Sequence, residues 1–158
     1  MFKFLAVFLF LWVASAAAFA DDHAQKSMAD SLLVEKVWAR ETFKMAKAGA
    51  AYASFSNQSE SPIVLVGASV EPEIATMVEL HTTKMENGMM RMQELEEGVT
   101  IDANESVMFQ PGGMHFMLMG LAGPLEAGKN FKLTLHFEDN SSRELTVDIR
   151  DMSNRSAN

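Results

Sequence analysis

Turn chemistry recurs along this chain too often to leave room for a long helix. Asn57-Gln58-Ser59, Glu71-Pro72, Asn87-Gly88, Pro111-Gly112-Gly113, Gly123-Pro124 and Asp139-Asn140 each supply residues that bend a backbone. Between them lie short segments rich in β-branched, aromatic and aliphatic residues, at 33–40, 50–56, 63–68, 76–83, 89–95, 107–110, 115–121, 131–137 and 144–149. That rhythm predicts an all-β domain, a sandwich or a barrel. Residues 76–92 could follow a helical period, but Asn87-Gly88 would break the helix. At 158 residues, 48% of them apolar, the chain can bury one core and forms one domain.

The two ends read differently. Met1-Phe2-Lys3 is basic, residues 4–13 are apolar, and Ala18 and Ala20 stand at the −3 and −1 positions of a cut before Asp21. This is the pattern of a secretory signal peptide over 1–20. The apolar run of ten residues is short for a bilayer span of about 20, so export without stable membrane insertion is expected. Residues 21–31 read as a flexible leader, 32–150 as the folded domain and 151–158 as a polar, frayed tail.

Composition removes whole classes of chemistry. With 21 acidic against 13 basic residues the net charge is −8, and no basic stripe exists to hold phosphates, so nucleic acid is not an expected partner. The absence of cysteine excludes disulfides, thiolate zinc sites, iron–sulfur clusters and a blue-copper centre. No G-x-S-x-G elbow is present, and the expected terminus Asp21 is not the histidine that a histidine-brace oxygenase requires. The chain does not read as an enzyme.

What it has instead is methionine. Eight of the 13 methionines fall between positions 85 and 119, where even spacing would place about three, an excess that core filling does not account for. The same stretch carries His81 and His115. A two-residue loop at Asn87-Gly88 would pair Glu86 with Met89, Thr83 with Met92 and His81 with Glu94. His81, Thr83, Met85, Met90, Met92 and Glu94 would then share one face, with His81 and Met92 diagonal neighbours. After Pro111-Gly112-Gly113, alternation places His115, Met117 and Met119 on one face and Phe116 and Leu118 on the other. Two imidazoles and two thioethers form a soft, neutral set suited to Cu(I). Met85, Met89, Met108 and Met114 are expected to pack in the core, His136 to be structural, and Glu79, Glu94, Glu96 and Glu97 to form a solvated face. With neither thiolates nor a carboxylate cluster at the site, zinc should bind weakly.

These residues resemble the PCuA(C)-type periplasmic copper chaperones, whose signature is a His, ten residues, a Met, about 21 residues, then His-x-Met. Here ten residues separate His81 from Met92, 22 separate Met92 from His115, and His115-Phe116-Met117 completes the motif. Val78-Glu79-Leu80-His81, Met85-Glu86-Asn87-Gly88, Met90-Arg91-Met92 and the run from Pro111 to Leu121 are similar to the family text as well, within a likeness spanning about 33–149. The resemblance implies a cupredoxin-like Greek-key β-sandwich with one surface-proximal Cu(I) site. It also implies delivery of copper to an accepting protein, such as cytochrome c oxidase subunit II with its dinuclear copper centre, or its assembly factors.

The expected function is therefore a periplasmic copper chaperone with His81, Met92, His115 and Met117 as ligands, and Met90 and Met119 as neighbours able to pass the ion on. The alternative is an exported β-sandwich interaction module with no metal role. Cleavage after Ala20 would also expose Asp21-Asp22-His23, an amine, amide and imidazole set suited to square-planar Cu(II).

Overall fold

The computed structural model describes residues 26–151. The chain folds as a short helix α1 (Met28–Ser31) and strands β1 (Leu32–Arg40), β2 (Ala48–Asn57), β3 (Ile63–Val70), β4 (Ala75–Glu86) and β5 (Met89–Glu94). β6 (Val99–Ile101), β7 (Ser106–Phe109), β8 (His115–Leu121), β9 (Asn130–Phe137) and β10 (Ser142–Arg150) complete it. All nine expected strands form. β6, a three-residue Val-Thr-Ile segment, escapes sequence periodicity because three residues cannot display one.

The strands follow the order β5-β4-β8-β2-β1-β10-β9-β3-β6, with β7 alongside β2. β4 also meets β3 where Ala68 pairs with Val78, which closes the sheet on itself. The first and last strands, β1 and β10, run parallel and adjacent, and the other pairings are antiparallel. Alternation drives burial: Phe131, Leu133, Leu135 and Phe137 of β9 and Leu145, Val147 and Ile149 of β10 point inward. At the centre Phe55, Phe109 and Phe116 meet with ring centroids 4.6–6.1 Å apart.

One departure from expectation concerns the N-terminal end of the domain. Part of the segment expected as a flexible leader is helical: Ser27 caps α1 through its side chain, the Met28 amide donates to Asp139, and Ala29 is buried. The expected signal peptide and Asp21-Asp22-His23 lie outside the described residues, as do residues 152–158 of the expected tail. Asn57, part of an Asn-Gln-Ser sequence, is not a surface residue. It is 2% exposed; its Nδ2 faces the carbonyls of Ser61, Ile101 and Asp102, and its Oδ1 accepts from the Ser59 amide and hydroxyl. Asn57→Ala would strand those carbonyls and is expected to cost about 2–3 kcal/mol. Urea unfolding measures it; a loss under about 0.5 kcal/mol would show that water replaces the amide without penalty.

Candidate metal-binding face

The β4–β5 hairpin forms in the expected register: His81 pairs with Glu94, Thr83 with Met92 and Glu86 with Met89. Asn87 and Gly88 adopt φ of 51° and 79°, the left-handed pair of a type I′ turn, which glycine and asparagine tolerate best. β8 pairs on the other side of β4, bringing His81 directly opposite His115 and Glu79 opposite Met117. The two imidazole rings lie 5.9 Å apart, centroid to centroid. Three adjacent strands therefore place His81, His115, Met117 and Met92 on one face, with Met92 diagonal to His81.

The two histidines are held differently. His115 is 6% exposed and packs 6.5 Å from the ring of Tyr52, which itself stacks on Trp38 at 4.6 Å. Its Nδ1 lies 3.1 Å from the Gly113 carbonyl; with the proton there, Nε2 keeps its lone pair for a metal. The same carbonyl accepts from the Thr83 amide at 3.3 Å, so the Pro111-Gly112-Gly113 turn ties the His115 ring to β4. His81 donates from Nε2 to Glu79 Oε2 at 2.8 Å, leaving a lone pair on Nδ1. That Nδ1 is buried and has no hydrogen-bond partner among the described residues. A buried nitrogen without a partner is costly unless something else, such as a cation, satisfies it.

The sulfurs grade from inside to outside. Met117 is half-buried and lines a surface depression of about 670 Å³ that also includes Phe43, Ala46, Ala50 and Tyr52. Met92 is 58% exposed, and Met90 of the same face is exposed too. Met119 pairs with Met77 at the far end of the face. Burial pushes the Tyr52 hydroxyl up from its ordinary pKa, partly offset by Arg40, so the phenol stays protonated and neutral beside His115.

Several expectations need correcting. Met85, Met89 and Met108 are exposed and are not core residues. β5 is the outermost strand and buries no residue, so the hairpin's sulfurs have nothing to pack against. Met114 does pack against the core, and His136 receives a structural partner, Ser69 Oγ at 2.8 Å. The expectation of a site without carboxylates also fails. Glu79, His81 and Glu94 bring their ligand atoms within 4.8 Å of one another. The signal was present: Glu79 is two residues from His81, and Glu94 is its cross-strand partner.

A nearly all-β, closed barrel of this kind is the cupredoxin-like fold of the PCuAC domains. The chain belongs to the family described as "Putative lipoprotein LpqE-like", which it matches over residues 32–149 and which is the PCuAC-type family. It is 37% identical over 132 residues to "Putative lipoprotein Lxx21020" of Leifsonia xyli subsp. xyli (strain CTCB07), covering 82% of this chain and 76% of that one. The solution structure of CuI-DR1885 from Deinococcus radiodurans is 33% identical and superposes with a TM-score of 0.58 over 80% of this chain and 85% of that one. The apo PCuAC domain from PmoF1, 23% identical, superposes with a TM-score of 0.62 over 77% and 94% of the two chains, and shows the shared cupredoxin-like fold.

Proposed function

We propose that this protein is an exported copper carrier, not a catalyst. It binds Cu(I) through His81, His115, Met117 and Met92 and passes the ion to an accepting protein. The observation that carries this reading is the direct opposition of His81 and His115 across β4 and β8, with Met117 and Met92 on the same face. The relative solved as CuI-DR1885 and the membership of the PCuAC-type family support copper as the cargo. Thioethers bind without losing a proton and favour Cu(I), so the site can load where thiols would be oxidised.

Release follows from the gradient of exposure. Met92, the most exposed of the four, is the ligand an acceptor can displace first, and Met90 and Met119 offer sulfurs beside the site. Stepwise exchange then keeps copper ligated throughout. The acceptor we propose is a copper-binding protein of the periplasm, with the dinuclear centre of cytochrome c oxidase subunit II, or an assembly factor serving it, as the destination. The relatives described as lipoproteins are in keeping with export. No helix among the described residues is long and apolar enough to cross a membrane.

Titration of Cu(I) against a chromophoric chelator tests the reading. One ion per chain is expected. A stoichiometry near zero would support the interaction module instead, in which the methionines serve only as surface.

A further inference from the structure

Seven of the eleven methionines among the described residues are 52–75% exposed, although methionine is ordinarily among the residue types most often buried. Three of the seven, Met89, Met90 and Met92, belong to β5, the edge strand that buries no residue. Pairing sets Met85 opposite Met90 and Thr83 opposite Met92, so Met85, Met90 and Met92 stand on the side of the hairpin that carries His81. The other methionines are sheltered: Met28 and Met114 pack against the core, and Met117 and Met119 are half-buried on β8. An open thioether is a nucleophile. Its sulfur lone pair attacks one oxygen of a peroxide and the O–O bond breaks. The hydroxide that leaves takes the proton from the transferred oxygen and departs as water. Sulfur thereby loses two electrons and becomes a sulfoxide, a polar and chiral group. In a core that group disrupts packing; on β5 it stands in water.

We propose that Met92, with Met90 beside it, is an oxidation site: a peroxide converts it to the sulfoxide, which closes the empty metal face to Cu(I) while the barrel stays folded. The inference rests on the proposed function for the role of Met92 as a copper ligand. Oxidation replaces the soft thioether that favours Cu(I) by a harder, weaker donor. A bound ion engages the same lone pair, so a loaded carrier is protected and an empty one is not. Exposure ranks the sulfurs. Met92, 58% exposed, reacts before Met117, which is half-buried in its depression. The change is reversible, because methionine sulfoxide reductases return both sulfoxide epimers to the thioether, and an edge strand with exposed side chains lies open to such an enzyme.

The test treats the metal-free protein with hydrogen peroxide and follows each methionine by peptide mass spectrometry. Met90 and Met92 should oxidise at least about tenfold faster than Met28 and Met114, with Met117 between them. Circular dichroism should stay unchanged over that interval. Preloading with silver(I), a soft ion that peroxide does not cycle, should slow oxidation of Met92 and Met117 and leave Met85 and Met108 at their original rates. At a dose that spares Met117, Cu(I) affinity measured against a chelator should fall about 10-fold or more, at least the range set by changes one shell further out. Sulfoxide reductases A and B should restore it. Met92→Leu, whose affinity starts lower, should lose no more at the same dose. Oxidation of Met92 no faster than that of Met114, loss of the fold together with affinity, or full Cu(I) affinity with Met92 oxidised would each overturn the switch and leave the carrier reading standing. Absence of Cu(I) binding before any peroxide is added would sink the carrier reading, and the switch with it.

Discussion

Met117→Leu should lower Cu(I) affinity by about 10–100-fold or more, the range set by lesser changes one shell further out, while the protein stays folded. Leucine matches methionine in volume and apolarity, and such exchanges cost less than about 1.5 kcal/mol even in cores. Met117 is only half-buried on the outer face, between Ala50 of β2 and Glu79 of β4, so the cost here lies at the low end. What leucine cannot supply is the sulfur lone pair. Met92→Leu should weaken binding less, because an exposed edge-strand ligand is held less firmly before the ion arrives. Met85→Leu, beyond Met92 along the hairpin and 68% exposed, should leave affinity unchanged. Competition with a Cu(I) chelator, alongside thermal unfolding of the apoproteins, separates ligation from folding. Wild-type affinity in both Met117→Leu and Met92→Leu would mean that the sulfurs are not ligands.

The hairpin half of this site was legible because Asn87-Gly88 sets a register that propagates residue by residue to His81 and Glu94. The His115–Met117 half was legible as a face, since alternation separates both from Phe116 and Leu118. The step joining the halves was not. Pairing of β4 with β8 joins segments 34 positions apart in the chain at His81 and His115, and no local propensity encodes so distant a partner. Glu79 departs from the expected solvated face for a different reason. Charged residues on a strand face usually point to solvent, as Glu94, Glu96 and Glu97 do, whereas pairing with β8 leaves Glu79 half-buried beside His81. The exposed methionines failed the core expectation likewise: composition says that sulfur is abundant, but only strand order shows that β5 lies outside the closed sheet.

The largest loss of stability should follow from Phe116→Ala, about 3–5 kcal/mol. Phe116 is fully buried and stands between His115 and Met117 on β8, facing the opposite way. Its ring lies 4.6 Å from that of Phe109 and 6.1 Å, edge-on, from that of Phe55, and its backbone pairs with Ala51 on one side and Leu80 on the other. Truncation removes the apolar contact and leaves a cavity that β2, β4 and β8 cannot close without giving up their pairing. Domains of this size are stable by only about 5–15 kcal/mol, so the variant should unfold at markedly lower urea, with its slope unchanged if the transition remains two-state. Phe116→Leu, which keeps most of the volume, should cost clearly less. The same anchor sets the direction of the neighbouring proposed ligands, since fixing Phe116 inward turns His115 and Met117 to the opposite face of β8. Cu(I) should therefore raise the unfolding midpoint of Phe116→Leu, as binding to the native state alone requires, and a Phe116→Ala variant losing less than about 1 kcal/mol would show that the aromatic trio is not what holds β8 in place.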